Sequence, residues 1–142
     1  MKVPFNINLS GKTAIVTGGS GTLCSAMAYG LAVSGANVAI IGRNIEKLAS
    51  VSEKLTKNAL DEYNKDVTIK GYSCNVINKD ELTAAYETIK NELGSCDILI
   101  NGAGGNQPGA ITSIEMLKKD KEDSDYSFWN LDEDRIRDVM DL

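Results

Sequence analysis

Between Lys12 and Asn101 the chain alternates short β-branched runs with longer amphipathic stretches, and that alternation admits few folds. Strand, helix and strand in repetition read as βαβ units, whose parallel strands are joined by right-handed crossovers. Four strands are expected, at residues 13–17 (TAIVT), 37–41 (NVAII), 67–73 (VTIKGYS) and 97–101 (DILIN). The first, second and fourth are continuously apolar rather than alternating, as strands covered on both faces are. Helices are expected between them at 22–34, 44–65 and 78–93, with Leu48, Val51 and Leu55 showing the three- and four-residue spacing of a buried stripe. Asn44 and Asn78 can cap helix starts, and Gly35 and Gly94 can stop the first and third helices.

After Asn101 the character changes. Residues 102–109 hold four glycines and one proline, and a polar segment without sustained periodicity continues to Asn130. We expect a long polar loop over 105–130, with a short helical turn near 113–119, and a return to helical spacing over 131–142 through Ile136 and Met140. Loops of this length in a compact domain commonly carry function or lack order.

Composition removes several classes of function. The 142 residues fit one domain, and 42% apolar with 25% charged residues is ordinary for a globular chain. No apolar run approaches the roughly 18 residues of a membrane helix, and the first ten residues do not read as a signal peptide. A cytoplasmic location is therefore expected. There is no histidine, which removes histidine-based triads, zinc hydrolysis and proton shuttles from this chain. Cys24, Cys74 and Cys96 match neither a disulfide framework nor a CxxC metal pair, and are expected to be reduced, buried and small. Residues 1–114 hold ten acids and ten bases, whereas 115–142 hold ten acids and five bases, so the net charge of −5 sits entirely in the tail. A neutral body offers no basic footprint for nucleic acid or anionic lipid.

The first strand runs into Thr17-Gly18-Gly19-Ser20-Gly21-Thr22-Leu23-Cys24 and then a helix, the placement of a dinucleotide-binding turn. Glycines let the backbone approach a pyrophosphate, and the unpaired N–H groups and dipole at the helix start hold its charge. In the register G-x-G-x-x-[G/A] the three positions are Gly19, Gly21 and Cys24. The second strand ends Ile41-Gly42-Arg43-Asn44, without the acidic residue that commonly accepts both ribose hydroxyls of NAD. Arg43 can instead pair with a 2′-phosphate or stand as a solvated residue at a helix start.

These landmarks resemble the short-chain dehydrogenase/reductase family, with the chain corresponding to the first half of such an enzyme. The family's Thr-Gly-x-x-x-Gly-x-Gly turn is matched at Thr17 and Gly18 and departs at Thr22 and Cys24. Cys74-Asn75-Val76 is similar to the family's Asp-Val pair beside the adenine, with Asn in place of Asp. Asn101-Gly102-Ala103-Gly104 resembles its Asn-Asn-Ala-Gly element, which flanks the nicotinamide ribose. The continuation through Gly105-Asn106-Gln107-Pro108 resembles a sugar-acid branch, the D-mannonate oxidoreductase type.

The resemblance implies hydride transfer between a nicotinamide and a hydroxyl or keto carbon. It also implies cofactor contacts from Gly18, Ser20, Gly21, Thr22 and Leu23 in the turn, Arg43 and Asn44 after the second strand, Asn75 and Val76 after the third, and Asn101, Ala103 and Gly104 after the fourth. NADP or NAD is the implied cofactor, NADP being favoured by Arg43. In the family a Tyr acts as acid/base with a Lys four residues later lowering its pKa, which lies near 10 when unperturbed. Only Tyr86–Lys90 has that spelling here. It precedes the ribose-flanking element, so it reads as an ordinary helix-face pair, and no catalytic residue or metal ligand is expected within the chain.

The expected fold is an α/β, Rossmann-type doubly wound parallel sheet, incomplete, with strand order 3-2-1-4. Residues 1–142 then form the dinucleotide-binding half-domain of a larger oxidoreductase acting on a small-molecule substrate. The fourth strand would lack a fifth-strand neighbour, so a homo-oligomer is expected, and the chain alone should be inactive. A non-catalytic dinucleotide-sensing module is the alternative. A sugar-nucleotide epimerase would need glycine where Cys24 stands.

Overall fold

The computed structural model describes residues 7–112 and 127–141. Four parallel strands, β1 (Thr13–Thr17), β2 (Asn37–Gly42), β3 (Ile69–Ser73) and β4 (Ile98–Ile100), form one sheet in the order β3-β2-β1-β4. Helices α1 (Thr22–Val33), α2 (Ile45–Tyr63) and α3 (Lys79–Leu93) form the crossovers. Residues 1–103 make one compact unit and 104–142 a second. The second contains a 3-10 turn at Phe128–Asn130 and α4 (Glu133–Met140).

The apolar runs of β1 and β2 divide residue by residue between two cores, because successive side chains on a strand face opposite ways. Ala14, Val16, Val38 and Ile40 join Ala28 and Ala32 of α1 and Leu48 and Leu55 of α2. On the opposite face Ile15, Ala39 and Ile41 pack with Ala85 and Ile89 of α3 and with Cys74. Helix ends follow local chemistry. Asn44 accepts the Lys47 N–H at 2.8 Å, Asn78 accepts those of Asp80 and Glu81 at 3.0 and 3.2 Å, and Asp132 caps α4 in the same manner. Gly35, at φ +104°, follows α1 in a left-handed turn closed by the Ala36 N–H on the Leu31 carbonyl.

Several boundaries differ from expectation. Strand β3 starts at Ile69 rather than Val67, because pairing with β2 begins at Val38–Ile69. Strand β4 shortens to three residues, those opposite Ala14, Ile15 and Val16. Leu99 is 57% exposed, so β4 is not covered on both faces among the described residues. Cys24 and Cys74 are buried as expected, whereas Cys96 is only half-buried. The helical turn expected near 113–119 lies outside the described residues. No described helix is long and apolar enough to cross a membrane.

Candidate functional site

Parallel strands in register bring their following turns to one edge of the sheet. Thr17 pairs with Ile41, Gly42 with Ser73, and Val16 with Ile100, so the segments after β1, β2, β3 and β4 leave the sheet side by side. This is where ligands of open α/β sheets bind. The structure therefore gathers the turn residues Gly18–Leu23, the pair Arg43 and Asn44, the pair Asn75 and Val76, and Asn101 with Ala103. Gly104 follows as the first residue of the second unit.

The turn after β1 is fixed by backbone. The Gly19 N–H donates to the Ile41 carbonyl at 3.1 Å, and the Gly21 N–H to that of Gly18 at 2.9 Å. Gly18 has φ +66°, and a Cβ there would stand 2.6 Å from the Gly102 oxygen. A Cβ at Gly19 would stand 2.5 Å from that of Ile40. Neither position has room for a side chain. Gly21 then begins α1 with no side-chain cap, in contrast to α2, α3 and α4. The first-turn N–H groups of α1 thus have no side-chain acceptor among the described residues, the condition of an anion site when a ligand is bound.

Arg43 is exposed, and no carboxylate among the described residues lies within ion-pair distance of its guanidinium. Its carbonyl accepts the Ser73 hydroxyl at 3.3 Å, tying the ends of β2 and β3 together. Ser20 faces the end of β2: its Oγ is 3.7 Å from where a Cβ on Gly42 would stand. Beyond β3, the Asn75 N–H donates to Glu81 Oε2 at 2.8 Å, and Asn75 Oδ1 accepts the Ile77 N–H at 3.3 Å. Burial and the Glu81 carboxylate push the Cys74 thiol up. A cavity of about 420 Å³ opens beside this segment, with Ile45, Tyr72, Ser73, Glu81 and Thr88 in its wall.

A family model described as short chain dehydrogenase matches residues 12–124. The chain belongs to the short-chain dehydrogenase family. It is 42% identical over 131 residues to an uncharacterized oxidoreductase, UxuB, of Bacillus subtilis (strain 168), covering 92% of this chain and 44% of that protein. Among solved structures, a candidate D-mannonate oxidoreductase from Haemophilus influenza with bound NAD superposes with TM-score 0.82 at 36% identity, over 96% of this chain and 46% of that one. The L-sorbose reductase of Gluconobacter frateurii, complexed with NADPH and L-sorbose, gives TM-score 0.63 at 25% identity over 82% and 41%. The chain spans less than half the length of each of these three.

In this member of the short-chain dehydrogenase family, two side chains do more than their sequence positions suggest. Thr17 Oγ1 accepts the N–H groups of both Gly102 and Ala103, each at 3.0 Å, and so latches the segment after β4 onto β1. The Cys24 thiol donates to the Gly102 carbonyl at 3.6 Å. These contacts span 78 to 86 residues, so no local pattern announces them. The one available signal is a polar Thr closing an apolar strand directly before the glycines. Tyr86 and Lys90 lie on α3, as expected of a helix-face pair, and Lys90 pairs with Glu87 at 3.9 Å.

Proposed function

We propose that this chain is the nicotinamide-dinucleotide-binding part of an oxidoreductase that interconverts a hydroxyl and a keto group, on a sugar acid. The observation that carries the reading is the uncapped start of α1, reached through a turn whose Gly18 and Gly19 have no room for side chains. That arrangement suits a pyrophosphate: backbone can approach closely, and the N–H groups of Thr22, Leu23 and Cys24 are available to charge. Arg43, Asn75 and Val76 would then border the adenosine, while Asn101, Ala103 and Gly104 would flank the nicotinamide ribose. The Asn44 and Asn75 Oδ1 atoms already accept backbone N–H groups, so their contacts would come from amide or backbone donors.

The nicotinamide, when bound, gives or accepts the hydride; this chain's residues bind and orient it. A relative with bound NAD and another with bound NADPH support a dinucleotide of this class. For this chain we favour NADP, because the Arg43 guanidinium is exposed and unpaired among the described residues and Gly42 presents no carboxylate. The sugar-acid substrate is supported by the D-mannonate relative. Calorimetric titration of the full chain with NADP and NAD tests the reading. Binding that disappears in Gly18→Val is expected, and unchanged affinity in that variant would count against it. Arg43→Ala should weaken NADP by up to about 1.5–3 kcal/mol more than NAD, the range for hydrogen bonds to charge. Equal loss of both would remove the NADP preference.

A further inference from the structure

The two departures from the family's glycine and asparagine patterns that matter most meet in space. Cys24 stands where the Thr-Gly-x-x-x-Gly-x-Gly turn has its last glycine, and Gly102 where the Asn-Asn-Ala-Gly element has its second asparagine. A Cβ built on Gly102 would overlap the Cys24 sulfur, far inside contact distance. The thiol instead donates to the Gly102 carbonyl, and Cys24 is only 7% exposed.

We propose that Cys24 is a positioning residue for the dinucleotide: its thiol fills the space that residue 102 leaves by being glycine, and the fitted pair sets the gap between the phosphate-binding turn and the backbone after β4. This rests on the dinucleotide reading above. The geometry around Gly102 shows why the gap matters. Its carbonyl takes the thiol and lies where a Cβ on Gly18 would collide, while its N–H and that of Ala103 are held by Thr17. Residue 102 therefore cannot move without disturbing the left-handed Gly18 and the Thr17 latch together. Cys24 belongs to the first turn of α1, whose N–H groups face the same edge. A displaced 102–103 backbone would change the distance between the pyrophosphate and ribose contacts of one ligand.

The pair predicts reciprocal behaviour. Gly102→Ala places a methyl on the sulfur, so Cys24 must rotate out or the backbone must shift. Truncating the partner to Ala leaves only its Cβ, 3.7 Å from the new one, an ordinary contact, although the Thr17 carbonyl at 3.0 Å stays close. The experiment is NAD titration of the full chain and its C24A, G102A and C24A/G102A variants, with the unfolding temperature of each unliganded sample measured alongside. Overpacking of a fitted contact should weaken NAD on the order of tenfold in G102A, whereas the double variant returns to within about threefold of the parent. Site-resolved alkylation should show the Cys24 thiol more reactive in G102A. A double variant binding no better than G102A overturns the fitted pair. So does a G102A chain whose unfolding temperature falls while its NAD affinity holds. A parent chain that binds neither NAD nor NADP overturns the dinucleotide reading itself, and the proposal with it.

Discussion

Replacing Thr17 by Val keeps the shape of the side chain and removes the one acceptor shared by the Gly102 and Ala103 N–H groups. Thr17 is 7% exposed, and valine has nearly the same volume, so the substitution adds no cavity. Each lost hydrogen bond contributes about 0.5–1.5 kcal/mol net, and a donor left fully buried costs about 1–3 kcal/mol. Gly102 is exposed and Ala103 half-buried, so water can reach part of what Thr17 releases and the full penalty does not apply. The expected loss is about 2 kcal/mol. With a urea slope of about 1.5 kcal/mol/M, the unfolding midpoint should fall by roughly 1.3 M at constant slope. Thr17→Ser retains the hydroxyl and should stay much closer to the parent. NAD affinity should follow the same order, because the latched segment borders the proposed ribose site. A midpoint for Thr17→Val within about 0.3 M of the parent would refute the argument. So would a Ser variant as damaged as the Val variant.

Asp97 accepts from the Lys12 ammonium at 2.8 Å and the Thr13 N–H at 2.9 Å, and these two contacts hold its carboxyl below the usual range. The unfolded chain then binds the proton more tightly, so the contribution is present above the ordinary value of about 3.9 and lost as pH falls through the lower folded value. Urea midpoints should therefore separate the parent from Asp97→Asn at pH 6 and bring them together at acid pH; a gap that does not vary with pH would exclude this linkage. Leu99 is exposed on β4, which pairs only with β1 among the described residues, and we expect self-association through that strand. Leu99→Lys should lower the mass seen by light scattering, and a parent chain that is monomeric at all concentrations would contradict the expectation.

Much of the fold was legible because the strongest local signals were also the ones tertiary structure uses. Ala14, Ile15 and Val16 face two different cores in turn, which is why an unbroken apolar run was the right pattern for β1. Asn44 and Asn78 make their caps with neighbours two or three residues away, so sequence alone could place them. Strand β3 was overextended for the opposite reason. Val67 and Thr68 have the β-branched character of a strand, but pairing depends on what β2 offers, and its ladder opens at Val38. In the site, the positions of Gly18 and Arg43 followed from order along the chain. The Thr17 latch and the Cys24–Gly102 contact did not, since each needs two strands to be adjacent before it exists.

That distinction also explains how this turn forms without two of the glycines in the family's pattern. A glycine in such a turn serves one of two purposes. It permits a backbone conformation that other residues rarely adopt, or it leaves clearance for a neighbour. Gly18 serves both, with φ +66° and the Gly102 carbonyl against it, and Gly19 serves the second, against Ile40. Positions 22 and 24 lie inside α1, where φ is ordinary and glycine would weaken the helix. Thr22 is exposed, so its side chain needs no clearance. Cys24 does need it, and the glycine that supplies it is Gly102, 78 residues later. The requirement on position 24 is therefore a joint one with position 102, and a motif written along the sequence cannot express it.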